Sequence, residues 1–449
     1  MSFIYGLAVI LVIFQGIIIQ CDGAGSDSKI NFGTVKADDP RLEKVLPKYI
    51  IEIAPIRGRN DIFEYHENGD AILRFCSFRK LWTFFKKFGD QVKKIGIDYN
   101  SSCNKDVEHI FINRHIIKKY AEKLEELRIK TTDVEFWEEI LSGKKSNNFP
   151  KVKKFELSSD ISRNDFKLNL IFPELKFLKL LGSVADKNCL DNVKGLNELA
   201  LGPISIQEDK FKHIFENNRD IRKISLTYPT EAATMQHIVN NLKNLERLEV
   251  IYPSENFLLR ANDEASLKFP SLTHFNIIVS DFGDRIAIRK FLFNMPKLEK
   301  LTLMGVLPDD RIDDFINSFK KLKEVELSVR ECNVLGYIER LKYVRKLTTI
   351  FTADEFESMN QFEFLKEIFR RLAENSNLET LKFVNCNHFE FNQNYEEKMK
   401  EINENLTRYG KRTWTVSQGR EGIHHHYLEF KHDRKHGIFP KIKWLCLAQ

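Results

Sequence analysis

"FPELKFLKLLG" at residues 172–182 and "MPKLEKLTLMG" at residues 295–305 share one skeleton: a Pro, three apolar residues in the pattern LxxLxL, and a Gly. In the second copy Leu301 and Leu303 alternate with Lys300 and Thr302, the two-residue period of a strand with one buried face. The preceding stretch, "DRIAIRKFLFNMP", spaces Ile286, Ile288, Phe291, Leu292 and Met295 as a helix would. A scan that admits Val, Ile or Phe finds the skeleton starting at Val92, Leu124, Val152, Leu175, Leu196, Ile221, Leu245, Leu272, Leu298, Leu322, Val344 and Leu378. The starts lie 21 to 34 residues apart and average 26. Such a period marks a solenoid, because one strand and one helix cannot bury their apolar faces alone and must stack on identical neighbours. The expected fold is α/β, a curved parallel sheet inside with helices outside and a cap at each end.

The 449 residues are 42% apolar, with 36 Phe against 12 Tyr and 4 Trp, so the core calls for many large, purely apolar plugs. Net charge is only +6, too slight to indicate a nucleic-acid binder. Most of it sits at the C-terminal end, where Lys411, Arg412, Arg420, Lys431, Arg434, Lys435, Lys441 and Lys443 face Glu421, Glu429 and Asp433. Arg420, Lys431, Arg434, Lys435, Lys441 and Lys443 form the basic tail considered below. The run His424-His425-His426 puts at most two imidazoles on one side of a strand with no spaced third ligand, so no metal site is assigned.

The opening "MSFIYGLAVILVIFQGIIIQCDGAGSDS" is apolar from Phe3 to Ile19 and then small and polar, the layout of a secretory signal peptide over 1–23. No Lys or Arg precedes the run, and its length also fits a short uncleaved anchor. The expected compartment is extracellular, with no membrane span once the leader is removed. Sequons at Asn100 and Asn405 agree with glycosylation. Cleavage leaves Cys76, Cys103, Cys189, Cys332, Cys386 and Cys446. Cys76 and Cys103 flank the first repeat and are either a disulfide or two buried thiols.

The pattern resembles the leucine-rich repeat family over residues 92–390. The stretch "LRFCSFRKLWTFFKKFGDQVKKIGIDY", residues 73–99, is similar to the opening repeat of insect F-box/leucine-rich-repeat proteins. No recognisable F-box precedes it, so the resemblance implies the fold and argues against a ubiquitin-ligase role. The family's Asn or Cys two residues beyond the skeleton recurs only at Asn100 and Cys386, and Ser183, Pro229, Pro253, Ser280 or Val306 stand there elsewhere. The resemblance therefore implies irregular loops, with Phe plugs taking more of the packing.

Around this array the reading places a lead at 24–61 and an N-terminal cap at 62–91. In the cap, Asn68-Gly69 separates two alternating runs, which is a hairpin signal. A C-terminal cap and tail follow at 391–449, with a helix in "NYEEKMKEINENLTRY" and two strands in "RTWTVSQGREGIHHHYLEF". On the inner face of the curve, two columns of residues are mixed in charge. A third reads Leu181, Ile251, Ile278, Met304, Ile350 and Val384, interrupted by Gly202, Thr227 and Ser328. An exposed apolar row marks a partner site; side chains folded against the following loops give the same sequence. GxSxG, HExxH, P-loop and GxGxxG motifs are lacking, so no catalysis and no cofactor are expected. The expectation is a secreted protein-binding module with an unidentified protein ligand, or else a binder of anionic glycans or lipid headgroups through the basic tail.

Overall fold

The computed structural model describes residues 49–53, 62–67, 70–75, 78–99, 111–131, 149–160, 167–182, 188–202, 208–227, 231–251, 268–278, 294–304, 316–317, 319–329, 331–351, 377–384, 414–421 and 425–432, with isolated positions at 43, 46, 141, 364, 367–368 and 370–372. Among them, seventeen strands join one sheet. The repeat contributes β4 (Lys94–Tyr99), β5 (Glu126–Thr131), β6 (Lys154–Ser158), β7 (Phe177–Leu180), β8 (Glu198–Leu201) and β9 (Lys223–Leu226). It continues with β10 (Arg247–Ile251), β11 (His274–Ile278), β12 (Lys300–Met304), β13 (Glu324–Val329), β14 (Lys346–Phe351) and β15 (Thr380–Val384). Every one begins two residues after a skeleton start. Each is parallel to the next in unbroken sequence order. The sheet is open, not closed into a barrel: its edges are separate strands with one partner each.

A backbone motif fixes the register. The carbonyl just before each strand accepts two N–H groups of the following unit, as Lys93 O does from Glu125 and Glu126, and Thr273 O from Glu299 and Lys300. The first skeleton residue closes a tight turn onto the carbonyl three residues earlier, as in Val152 to Phe149, Leu175 to Phe172 and Leu322 to Phe319. That earlier residue is a buried plug: Phe149, Phe172, Val193, Leu242, Phe269, Met295, Phe319 and Leu341 occupy the slot. Phe155 stacks on Phe172 at 4.4 Å between ring centroids, and Phe149 lies 5.4 Å from Phe172, so aromatic plugs couple successive units.

Helices lie on the core side. The described ones include α1 (Phe78–Phe88), α2 (Glu208–Asn217), α3 (Ala232–Asn241) and α4 (Glu331–Arg340). A 111–123 helical segment begins as π-helix (Phe111–Ile117) and tightens to a 3-10 turn (Ala121–Lys123).

At the N-terminal edge β2 (Ile62–Glu67) and β3 (Asp70–Phe75) form the expected antiparallel hairpin. A strand not read from the sequence, β1 (Tyr49–Ile53), inserts between β3 and β4, parallel to both. Ile51 and Ile53 enter the core. At the other edge β16 (Trp414–Glu421) and β17 (His425–His432) form an antiparallel hairpin, and β17 pairs antiparallel with β15. The leader, the sequons at Asn100 and Asn405, and the helix expected at 394–409 lie outside the described residues.

Candidate functional site

The face of the sheet opposite the helices is built from three residues per strand, which the pleat turns away from the core. In β12, for example, Leu301 and Leu303 are buried in the core, while Lys300, Thr302 and Met304 point the other way. The first two columns are ladders of paired charges. Glu126, 5% exposed, lies 2.7 Å from Arg128 and 3.1 Å from Lys154, and Glu156 lies 2.9 Å from Lys179. Further along, Lys223 meets Glu198 at 3.2 Å and Lys300 meets Glu324 at 3.5 Å, while Asn276 donates to Glu249 at 2.9 Å. These charges neutralise one another across strands. His274 belongs to the first column, and burial followed by the flanking Arg247 and Lys300 cations lowers its pKa below the ordinary 6.5.

The third column lies where the sequence places it. Ile251 pairs in register with Ile278 and Ile278 with Met304, so these three stand on adjacent strands. Ile350 and Val384 form a second adjacent pair. Ile278, Met304, Ile350 and Val384 are half-buried, and Leu181 is 36% exposed. The Ile251 side chain and the loops after these strands fall outside the described residues.

Sequence reasoning missed Phe177. It occupies the first column, where the flanking strands carry Lys154 and Glu198, and it is 37% exposed. The signal was a break in a charged column. Phe177, which opens β7, and Leu181, just past its end, thus flank Lys179. Beside them stand Ala200 of β8 and Ser225 of β9, with Gly202 and Thr227 just past those strands, all small residues. Gly202 is required: a Cβ there would lie 2.4 Å from the Leu181 carbonyl oxygen. Phe177 and Leu181 thus stand beside a run of small residues, with Ile278 and Met304 further along the same face.

Of the basic tail, Arg420 lies on β16, and Lys431 on β17 is bonded to Glu429 at 2.7 Å. Arg434, Lys435, Lys441 and Lys443 lie outside the described residues, as do Cys76 and Cys103. Cys189 is buried in the core. Among the described residues no group of three His, Cys, Asp or Glu is placed to hold a metal, and no helix is long and apolar enough to cross a membrane.

No protein-family model matches this chain, and no curated protein matches it either.

Proposed function

We propose that the chain is an irregular leucine-rich repeat solenoid, led into the secretory pathway by its apolar N-terminus. On this reading it works without catalysis, docking a protein partner on the inward face of its sheet. The observation that carries the proposal is the exposure of two large apolar side chains, Phe177 and Leu181, on a face where neighbouring charges such as Glu126 and Lys154, or Glu156 and Lys179, are paired. With about a third of each side chain left in water, roughly 0.5–1 kcal/mol of burial gain is forgone apiece. Large apolar anchors among small neighbours suit the centre of a protein interface.

Two strands carry the test. Full-length chain produced in insect cells is recovered from the medium, and its N-terminus is sequenced; a start near residue 24 is expected, and retention inside the cell would refute secretion. The secreted chain is then used to capture proteins from extracellular fluid, beside a Phe177→Ser/Leu181→Ser variant of unchanged melting temperature. A band held by the parent and lost with the variant supports the inward face. A band held equally by both removes it. Capture by these anchors persists at high salt, whereas capture through the basic tail would vanish above physiological ionic strength.

A further inference from the structure

The helix-bearing side of the first two units differs in charge from the remaining described helices. On α1, Lys86, Lys87, Trp82 and Thr83 are exposed and Lys80 half-buried. On the 111–123 segment His115, Lys118, Lys119 and Lys123 are exposed. The two helices lie side by side: Tyr120 donates its hydroxyl hydrogen to the Phe85 carbonyl at 3.0 Å, and Trp82 meets His115 edge-on at 5.8 Å. Among the described residues of these two helical segments and the turn at 89–91, the acidic ones are Asp90, bound to Lys123 at 2.5 Å, and Glu122. Among the described residues no carboxylate forms an ion pair with Lys86 or Lys118, and Lys119 only adds its charge to that of Lys123 beside Asp90. Helices in equivalent positions lack this excess: on α2, Lys210 and Lys212 are matched by Asp191 and Glu216, α3 has no charged residue, and α4 carries Glu331 and Glu339 against Arg340. An ordinary solvated surface does not account for lysines concentrated on two adjoining helices around an exposed Trp.

We propose that this outer surface binds a sulfated polysaccharide, the lysines pairing with sulfates and the 46% exposed Trp82 ring lying against a sugar face. Long-range attraction of a polyanion needs same-sign charges grouped within a Debye length, about 10 Å at moderate salt. A bilayer fits less well. A helix that lies on a membrane buries its apolar stripe there, but Leu81, Phe84, Phe85 and Phe88 of α1 are already in the protein core. Among the described apolar side chains of α1, Trp82 alone remains for insertion. The inference is independent of the inward-face reading, which concerns the opposite side of the sheet.

The test is elution of the full chain from immobilised heparin against a salt gradient. Retention above physiological salt is expected for the parent. Lys86→Gln/Lys118→Gln/Lys119→Gln, which removes charge while keeping side-chain length, should weaken affinity about tenfold or more and flatten its salt dependence. Trp82→Ala should weaken it several-fold with the salt dependence retained. Arg434→Ala/Lys435→Ala/Lys441→Ala/Lys443→Ala should leave elution unchanged. Unchanged elution of the triple variant, or loss that follows the tail variant instead, overturns the proposal. So does preferential binding to phosphatidylcholine–phosphatidylserine vesicles or to single-stranded DNA. Thermal melts of each variant show whether a loss reflects the surface or the fold.

Discussion

Asn218 shows how one residue can hold an irregular unit in line. It occupies the plug slot filled by Phe, Leu, Met or Val in eight other units, and is 1% exposed. Its Oδ1 accepts from Leu196 N–H at 2.9 Å, and its Nδ2 donates to the carbonyls of Val193 at 2.9 Å and Ile214 at 2.8 Å. The turn it braces belongs to the shortest spacing in the array, Leu175 to Leu196, and contains both described residues with positive φ, Asn192 and Gly195. The amide therefore bridges a turn that the short unit could not close by itself. Asn218→Leu, a plug used by neighbouring units, should cost about 2–4 kcal/mol, because it strands buried backbone groups. Equilibrium denaturation will measure it. Thr349 is the opposite case, a residue in a Leu slot with 0% exposure and a hydroxyl that has no partner. Thr349→Val keeps the shape and removes the orphan, and should stabilise by about 1 kcal/mol in the same assay.

Between elements, the spacing of successive units sets what each position tolerates. Gly182 follows β7 where a Cβ would lie 2.0 Å from the Ser159 carbonyl oxygen, so the chain behind two neighbouring strands comes too close for any side chain. On the helix side, α4 is fastened to residues 364–372 by charge. Arg371 reaches Glu339 at 2.9 Å and the Leu335 carbonyl at 3.0 Å, while Glu367 lies 2.6 Å from Arg370 and 2.7 Å from Arg371. Hydrogen bonding from Arg370 lowers the Glu367 pKa from 4.5 to about 2 against the opposing effect of burial. A carboxylate with a depressed folded pKa contributes stability above pH 4.5, and that contribution is lost as pH falls toward 2. Because the pair is partly exposed, the contribution is below about 1 kcal/mol. Melting temperatures of the parent and Glu367→Gln should differ slightly at pH 6 and converge by pH 2; a gap that persists in acid would assign the effect to packing.

At the scale of the whole molecule, a stack of units is only as stable as its contacts between neighbours, and its ends need cover. β1 supplies cover that the N-terminal hairpin alone does not, since Ile51 and Ile53 are 0% and 1% exposed in the space between β3 and β4. Ile51→Asp should release amide protection through β4 and β5 while β9 to β13 keep theirs, as read by hydrogen exchange; uniform loss would show a single cooperative unit. The parallel array is legible in the sequence, because each slot imposes the same apolar demand and a demand repeated twelve times leaves a period in the residues. The hairpin at Asn68-Gly69 was legible because two-residue turns need residues that tolerate positive φ. Leu181, Ile278 and Met304 could be assigned to one face for the same reason of period. β1 could not be read, since five residues used once carry no period and their place depends on a gap left between distant strands. Phe177 as an exposed anchor, Asn218 as a brace and the joining of two lysine-bearing helices into one surface were likewise decided by the tertiary structure. Each depends on which units become neighbours, and repetition along a chain encodes the slot without encoding what stands beside it.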